Sequence, residues 1–377
     1  MKWTKKRLAE VADFCLGKML DEKKNRGEPL PYLANINVRW GEFDLENLRQ
    51  MRFETDEKER YGLKYGDILM CEGGEPGRCA IWKAAVPGMM IQKALHRIRS
   101  HDGLDNQFLF YTFVHIGNTG GFSPLCTGAT IKHLPRQQLA KLEIAYPSLL
   151  TQLRIADILS SYDTLIENNR RRMVLLEEAA RQLYREWFVR LRFPGHEHTR
   201  ITNGVPEGWE RMPFESALVL QRGFDLPLQD REDGDVPIYG STGINGFHSK
   251  VRVSGPGVVT GRSGTLGEVR YVTTDFWPLN TSLWVKEFKR VSPIYAVFLM
   301  REMDLRQYNG GVSVPTLDRK IVHKAEILLP EKKLMASFDE IVGPLFMQIN
   351  TLTTQIEKLR AARDLLLPRL MSGEVVV

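Results

Sequence analysis

Cysteine is scarce: Cys15, Cys71, Cys79 and Cys126 are the only four, all in the first half, and no two form a CxxC pair. A zinc site needs closer ligand spacing and a disulfide framework needs a smaller secreted chain, so neither is expected. The one tight histidine pair, His196 and His198 in PGHEHTR, falls in a Pro/Gly-rich linker and reads as solvated loop rather than metal site. Long hydrophobic runs are missing too. Without some 18 consecutive apolar residues no membrane-spanning helix is expected. The opening MKWTKKRLAEVADF is charged and interrupted, unlike a secretory leader, which points to the cytoplasm. There is no GxxxxGK[ST] loop to cradle ATP phosphates. What is present is a soluble composition, 43% hydrophobic and 26% charged, in 377 residues, enough for two ordinary domains. A net charge of +6 permits nucleic-acid binding without demonstrating it.

The chain repeats itself. TGATIKHL (127–134) lies over GGVSVPTL (310–317), and KLEIAYPS (141–148) over KAEILLPE (324–331). Ile158 then falls on Ile341, Ile166 on Ile349, Leu176 on Leu359 and Leu183 on Leu366, all at the same separation of 183. Upstream the separation drifts: GDILMCEGGEPG (66–77) lies against GPGVVTGRSGTLG (255–267), and Trp3 against Trp209. A constant offset after a drifting one means a tandem duplication in which shared rigid elements follow variable domains. The variable parts read as β-rich, with short apolar runs bounded by glycine or proline. FLFYTFV (108–114) and IYAVFLMREM (294–303) read as short helices packed on the sheets.

The shared elements read as long helices. Steps of four and three through the first pick out Ile155, Leu159, Ile166, Asn169, Met173, Leu176 and Leu183. The second gives Val342, Ile349, Ile356, Leu359, Arg363 and Leu366. A period of 3.5 held over more than four heptads is a coiled-coil seam. Each helix alone would expose a long apolar stripe, so the two are expected to pair, antiparallel and with a pseudo-twofold. Asn169 in the seam either sets the register or faces water. Proline removes a helical hydrogen bond, so a break or bend is expected at Gly343-Pro344. At 1.5 Å per residue, residues 155–187 span roughly 50 Å, a caliper between two related reading heads.

QLRIADILSSYDTLIENNRRRMVLLEEAARQLYREWF and FDEIVGPLFMQINTLTTQIEKLRAARDLLLPRLMSGE resemble the central and distal conserved regions of specificity subunits of type I restriction-modification systems. The resemblance implies an α+β chain of two tandem-duplicated target recognition domains, 1–147 and 207–330. They are separated by a central spacer helix (148–190) with a linker (191–206), and followed by a distal helix and tail (331–377). It implies a non-catalytic subunit that recognises a bipartite, gapped duplex. Two copies of a modification subunit would methylate adenine at N6 with S-adenosylmethionine, and a restriction subunit would use ATP and Mg. No [D/N/S]PP[Y/F/W] tetrapeptide or PD…ExK nuclease pattern occurs in this chain, so no cofactor of its own is expected.

Two pairs of loops are the DNA-contact candidates. CEGGEPGRC (71–79) and GRSGTLGE (261–268) follow equivalent strands and carry Arg78 and Arg262. They are either tight structural turns or places where backbone and guanidinium meet phosphate or a guanine edge. The second pair supplies Thr130, Lys132 and His133 in one half, Ser313 and Thr316 in the other. Lys93 and Arg222 are added as exposed cations that are equally well plain surface charge. Glu177, Arg181 and Arg185 lie on the helix face opposite the seam, where partner helices are expected. The competing reading is a coiled-coil scaffold whose β-rich domains bind peptide or glycan. Salt-dependent duplex binding separates the two, because phosphate contacts release counterions.

Overall fold

The computed structural model describes residues 3–21, 25–130, 132–311 and 313–377. Ile131 and Val312, one in each of the matched loops, lie outside them. The chain divides into two compact units: residues 1–168 with 356–377, and residues 169–355.

The first unit contains β1 (Thr4–Arg7), α1 (Leu8–Val11), β2 (Ala12–Leu16), β3 (Glu28–Leu33), β4 (Arg49–Phe53), α2 (Thr55–Tyr61) and β5 (Ile68–Cys71). β6 (Cys79–Ile81), β7 (Met90–Ile91), β8 (Leu95–Ser100), α3 (Asn106–Asn118), α4 (Arg136–Leu139), β9 (Glu143–Tyr146) and the start of α5 (Leu149–Tyr184) follow. One sheet runs β2-β8-β5-β6 and is antiparallel; a second runs β4-β3-β7 with β3 and β7 parallel; β1 pairs with β9. β5 is central because all four of its residues, Ile68 to Cys71, are buried, as a strand covered on both faces requires. α3 begins where the Asp105 carboxylate accepts the Phe108 amide at 2.8 Å. It then buries Phe108, Leu109 and Phe113 against the sheet.

The second unit opens on a short hairpin, β10 (Ile201–Thr202) and β11 (Val205–Pro206), and then repeats the plan. β12 (Glu210–Pro213), α6 (Phe214–Ala217), β13 (Leu218–Arg222), β14 (Val236–Gly240), β15 (Gly243–His248), β16 (Gly257–Gly261), β17 (Val269–Val272), β18 (Trp277–Pro278) and β19 (Ser282–Phe288) come first. α7 (Pro293–Glu302), α8 (Arg319–Lys324), β20 (Glu326–Leu329) and α9 (Lys332–Met371) complete it. Its sheets run β13-β19-β16-β17 and β15-β14-β18, and β12 pairs with β20. Even the cap recurs: Ser292 Oγ accepts the Tyr295 amide at 3.0 Å, with Pro293 at the first helical position. The duplication therefore extends to strand order, including the one parallel pair per unit. α2 has no counterpart among the described residues of the second unit.

One glycine in each unit is dictated by close approach. A Cβ on Gly17 would stand 2.4 Å from the Gln92 carbonyl oxygen, and one on Gly223 2.1 Å from that of Leu279. Both sit where parallel bridges tie the two sheets of their unit together, Lys18 to Gln92 and Phe224 to Leu279.

The long helices run antiparallel within each unit. In the first, Arg363 Nη1 meets Asp163 Oδ1 at 2.5 Å. In the second, Asn169, buried in the seam, donates to Gln355 Oε1 at 3.3 Å, and the Thr353 hydroxyl reaches Met173 Sδ at 3.9 Å. Ile155, Leu159, Ile166, Val342 and Ile356 are buried. Met173, Leu176, Leu183, Ile349, Leu359 and Leu366 are half-buried. The helix ends merge with the domain cores: Ile155 and Leu159 join Leu367, Leu370, Leu8 and Phe108 in the first unit. In the second, Ala180 and Tyr184 join Phe298, Phe338, Val342 and Phe346, with the Tyr184 ring stacked on Phe298 at 5.6 Å.

The expected break at Gly343-Pro344 is not there; α9 is one helix of 40 residues. Pro344 and Glu340 are both exposed. Pro344 costs the Glu340 carbonyl its intrahelical donor, and the helix runs on through this exposed stretch. At the other end of the pair, α5 finishes in a π-helical turn, Arg185–Val189, that buries Trp187 and Phe188. Among the described residues no helix is long and apolar enough to cross a membrane.

Candidate nucleic-acid interface

In each unit three loops meet at one end of the four-stranded sheet. In the first, the Glu72 amide donates to the Ala94 carbonyl at 2.9 Å, and the Leu134 amide donates back to the Glu72 carbonyl at 2.7 Å. Gly73 bridges to His133. The glycine-rich loop after β5, the turn before β8 and the 127–134 loop are thus laced by backbone bonds. In the second unit the Arg262 amide donates to the Thr281 carbonyl at 2.9 Å, the Leu317 amide to the Arg262 carbonyl at 2.8 Å, and Ser263 bridges to Thr316. The two loop pairs singled out in the sequence are brought together twice, by the same hydrogen bonds.

The first unit adds a buried anchor. His96 on β8 is fully buried and its Nε2 lies 2.8 Å from the Leu134 carbonyl. Only a protonated Nε2 can donate there, which leaves Nδ1 bare, and Nδ1 has no partner. Burial lowers the His96 pKa from its ordinary value, with the Leu134 carbonyl opposing that shift. The ring is neutral and holds the 127–134 loop on the sheet. Ala94 adopts a φ of 82° at the same junction, strain that surrounding contacts must hold in place.

The candidate side chains divide. Thr130, Lys132, His133 and Lys93 are exposed on the three meeting loops of the first unit. Arg78 is not: its Nη1 donates to Glu75 at 2.9 Å and its Nη2 to the Asn35 carbonyl at 3.0 Å, with the side chain 18% exposed. It is a strut that closes the glycine-rich loop, and as a DNA contact it is withdrawn. The true counterpart of Arg262 is Glu72, the residue making the same two backbone bonds.

In the second unit Arg222, Arg262 and Thr316 line one cleft of about 360 Å³, together with Asp318, Arg319 and Lys320. Arg262 Nη1 donates to the Asn280 carbonyl at 3.1 Å, which steadies the guanidinium. Asp318 spends one oxygen on the Lys320 amide at 2.8 Å. Arg319 and Lys320, which sequence reading missed, line the same cleft, while Arg222 Nη2 lies 4.0 Å from the Asp225 carboxylate. The only signal of Arg319 and Lys320 was a position just after the second matched loop. Ser313 stands exposed nearby and does not line the cleft.

The helix face assigned to partners is partly occupied. Glu177 Oε1 pairs with Arg301 at 2.7 Å and Arg185 Nε with Glu302 at 3.1 Å, both on α7 of the same unit. Arg181 is held by Glu178 at 2.8 Å. Glu177 and Arg185 thus already have partners within the unit while keeping 47% and 38% of their side chains exposed. Outside the seam α5 carries Leu165, Val174 and Leu175, more than half exposed each.

Hydroxyls, backbone amides and cations thus converge on loop ends, and among the described residues no group of His, Cys, Asp or Glu is placed to hold a metal ion. The chain holds two units of like plan, each with antiparallel helix segments. Residues 1–178 match the family described as the type I restriction modification DNA specificity domain. The chain is 26% identical over 340 residues to the type I restriction enzyme MjaIX specificity subunit of Methanocaldococcus jannaschii, covering 83% of this chain and 78% of that one. It is 22% identical over 226 residues to the MjaVIII specificity subunit of the same organism, covering 59% and 50%. The crystal structure of a type I restriction-modification system S subunit from M. genitalium superposes with a TM-score of 0.60 at 18% identity, covering 98% of this chain and 96% of that one. The match to the specificity domain thus lies in the first part of the chain, residues 1–178.

Proposed function

We propose that this chain is the non-catalytic specificity subunit of a type I restriction-modification complex, recognising a bipartite, gapped duplex target. The observation that carries the reading is the exact recurrence of the three-loop junction in two units of unequal side-chain content, since two differing readers on one chain suit a two-part, asymmetric sequence. The target recognition domains are assigned to 1–147 and 207–330. The contacts are assigned to Lys93, Thr130, Lys132 and His133 in one and Arg222, Arg262, Ser313 and Thr316 in the other. The paired helices set the gap. Two copies of a modification subunit, carrying S-adenosylmethionine, dock on the helices, where Leu165, Val174 and Leu175 offer open apolar surface. A restriction subunit supplies ATP-driven cleavage, and the chain works in the cytoplasm.

The test is methylation mapping. Co-expression with the modification subunit encoded beside it, followed by sequencing of host DNA for N6-methyladenine, is expected to give one gapped motif methylated on both strands. An intact complex with no methylation would refute the reading. The ruler has its own check: lengthening both helices by four residues adds roughly 6 Å and should widen the gap by one or two base pairs. An unchanged gap would exclude the helices as the ruler.

A further inference from the structure

The two loop junctions share a backbone but not a charge. Matched bonds set the equivalences. Gly17 and Gly223 donate to the same position of β8 and β19, Leu95 and Ser282, which makes Leu16 the counterpart of Arg222. Glu72 is the counterpart of Arg262, as shown above. The constant offset of the second loop makes Arg136 and Gln137 the counterparts of Arg319 and Lys320. The second unit thus gathers three arginines and a lysine around a cleft lined by one carboxylate, Asp318, with a second, Asp225, 4.0 Å from Arg222 Nη2. The same place in the first unit holds Leu16, Glu72 and Gln137, and its one arginine, Arg136, lies over the Phe14 ring at 5.3 Å.

We propose that the Arg222–Arg262–Arg319–Lys320 cleft seats a backbone phosphate of duplex DNA, and that the matching place in the first unit does not. The recessed phosphate grip then falls on one half of the target, while Lys93 and Lys132 in the other half meet the duplex from exposed loops. The inference rests on the DNA-recognition reading above. The physics is that four cationic groups converging on a recess, against Asp318 and the Asp225 carboxylate beside Arg222, are only partly neutralised by the protein itself. A phosphodiester supplies the missing charge and releases its counterions on binding. A cleft of about 360 Å³ admits a phosphate with its flanking sugar atoms and excludes a base pair. Its role is therefore register on the backbone, with base reading left to the exposed loop residues around it.

The test uses the full chain and a mixed-sequence duplex of about 40 base pairs, with affinity followed by fluorescence anisotropy from about 50 to about 200 mM NaCl. Replacing Arg262, Arg319 and Lys320 together by glutamine is expected to weaken binding about tenfold at low salt and to reduce the salt slope by about one to two. Arg136→Gln is expected to leave the slope unchanged. Asp318→Asn keeps the helix cap and should tighten binding a few-fold, which guards against a triple variant that merely misfolds. If Arg136→Gln flattens the slope as much as the triple variant, the asymmetry is overturned. If the triple variant keeps the wild-type slope, the cleft seats no DNA phosphate although the chain still binds DNA. If wild type binds no duplex at all, the functional reading itself fails. A parallel titration with inorganic phosphate separates the sources: a site lost in the triple variant while the duplex slope stays put would make the occupant a free phosphate and overturn the proposal.

Discussion

Replacing Asp163 by alanine tests the helix pairing of the first unit at a polar knot. Asp163 Oδ2 accepts the Tyr111 hydroxyl at 2.6 Å, and Oδ1 meets Arg363 Nη1 at 2.5 Å. Tyr111 is 1% exposed; burial first, and the Asp163 charge second, push its pKa far up, so the phenol stays a donor. Removing the carboxylate leaves that buried donor without an acceptor, a loss of about 1–3 kcal/mol. Arg363, 26% exposed on its side chain, keeps Asp364 at 2.8 Å. Loss of its second carboxylate therefore adds only about 1 kcal/mol, far below a fully buried unpaired charge. The total is roughly 2–4 kcal/mol, or a fall in Tm of about 5–12 °C for a unit of this size. Asp163→Asn keeps an acceptor for Tyr111 and should lose only the ionic part. Calorimetry on the full chain reads both. A cost below about 0.5 kcal/mol for alanine, or equal costs for alanine and asparagine, would refute the account.

Two more perturbations probe the loop junctions. His96 is held below its ordinary pKa of 6.5 by burial, so the unfolded chain takes up the proton first. Its contribution to stability is intact above pH 6.5 and is lost as pH falls below it, at about 1.4 kcal/mol per pH unit. His96→Leu, which installs the residue found at Leu283 in the second unit, should flatten the urea midpoint between pH 7 and about 5.5; an undiminished slope would disprove the assignment. Gly223→Ala places a Cβ 2.1 Å from the Leu279 carbonyl oxygen. Because backbone must shift to admit it, a loss of about 1–3 kcal/mol is expected, and a wild-type melt would contradict the close approach.

Much was legible in the residues themselves. The seam from Ile155 to Leu183 and its partner from Val342 to Leu366 are periodic, and a period survives any tertiary context because every second turn must find the same neighbour. The duplication was legible for the same reason, since it is a property of order along the chain. FLFYTFV and IYAVFLMREM read correctly as helices, α3 and α7, on sheets whose central strands are buried on both faces. Side-chain direction and charge partnership were not legible. Arg78 turns inward to a carbonyl 43 residues away, and Glu177 and Arg185 find Arg301 and Glu302 on α7. No spacing rule reports such distant acceptors. Pro344 leaves α9 continuous, at a turn where both it and Glu340 are exposed. Arg222, Arg262 and Lys320 line one cleft across nearly a hundred residues because a glycine, a turn and a loop bring their backbones together. Local pattern determined the elements and their repeat; which cations converge, and which are already neutralised, was decided by the three-dimensional packing of segments far apart in the chain.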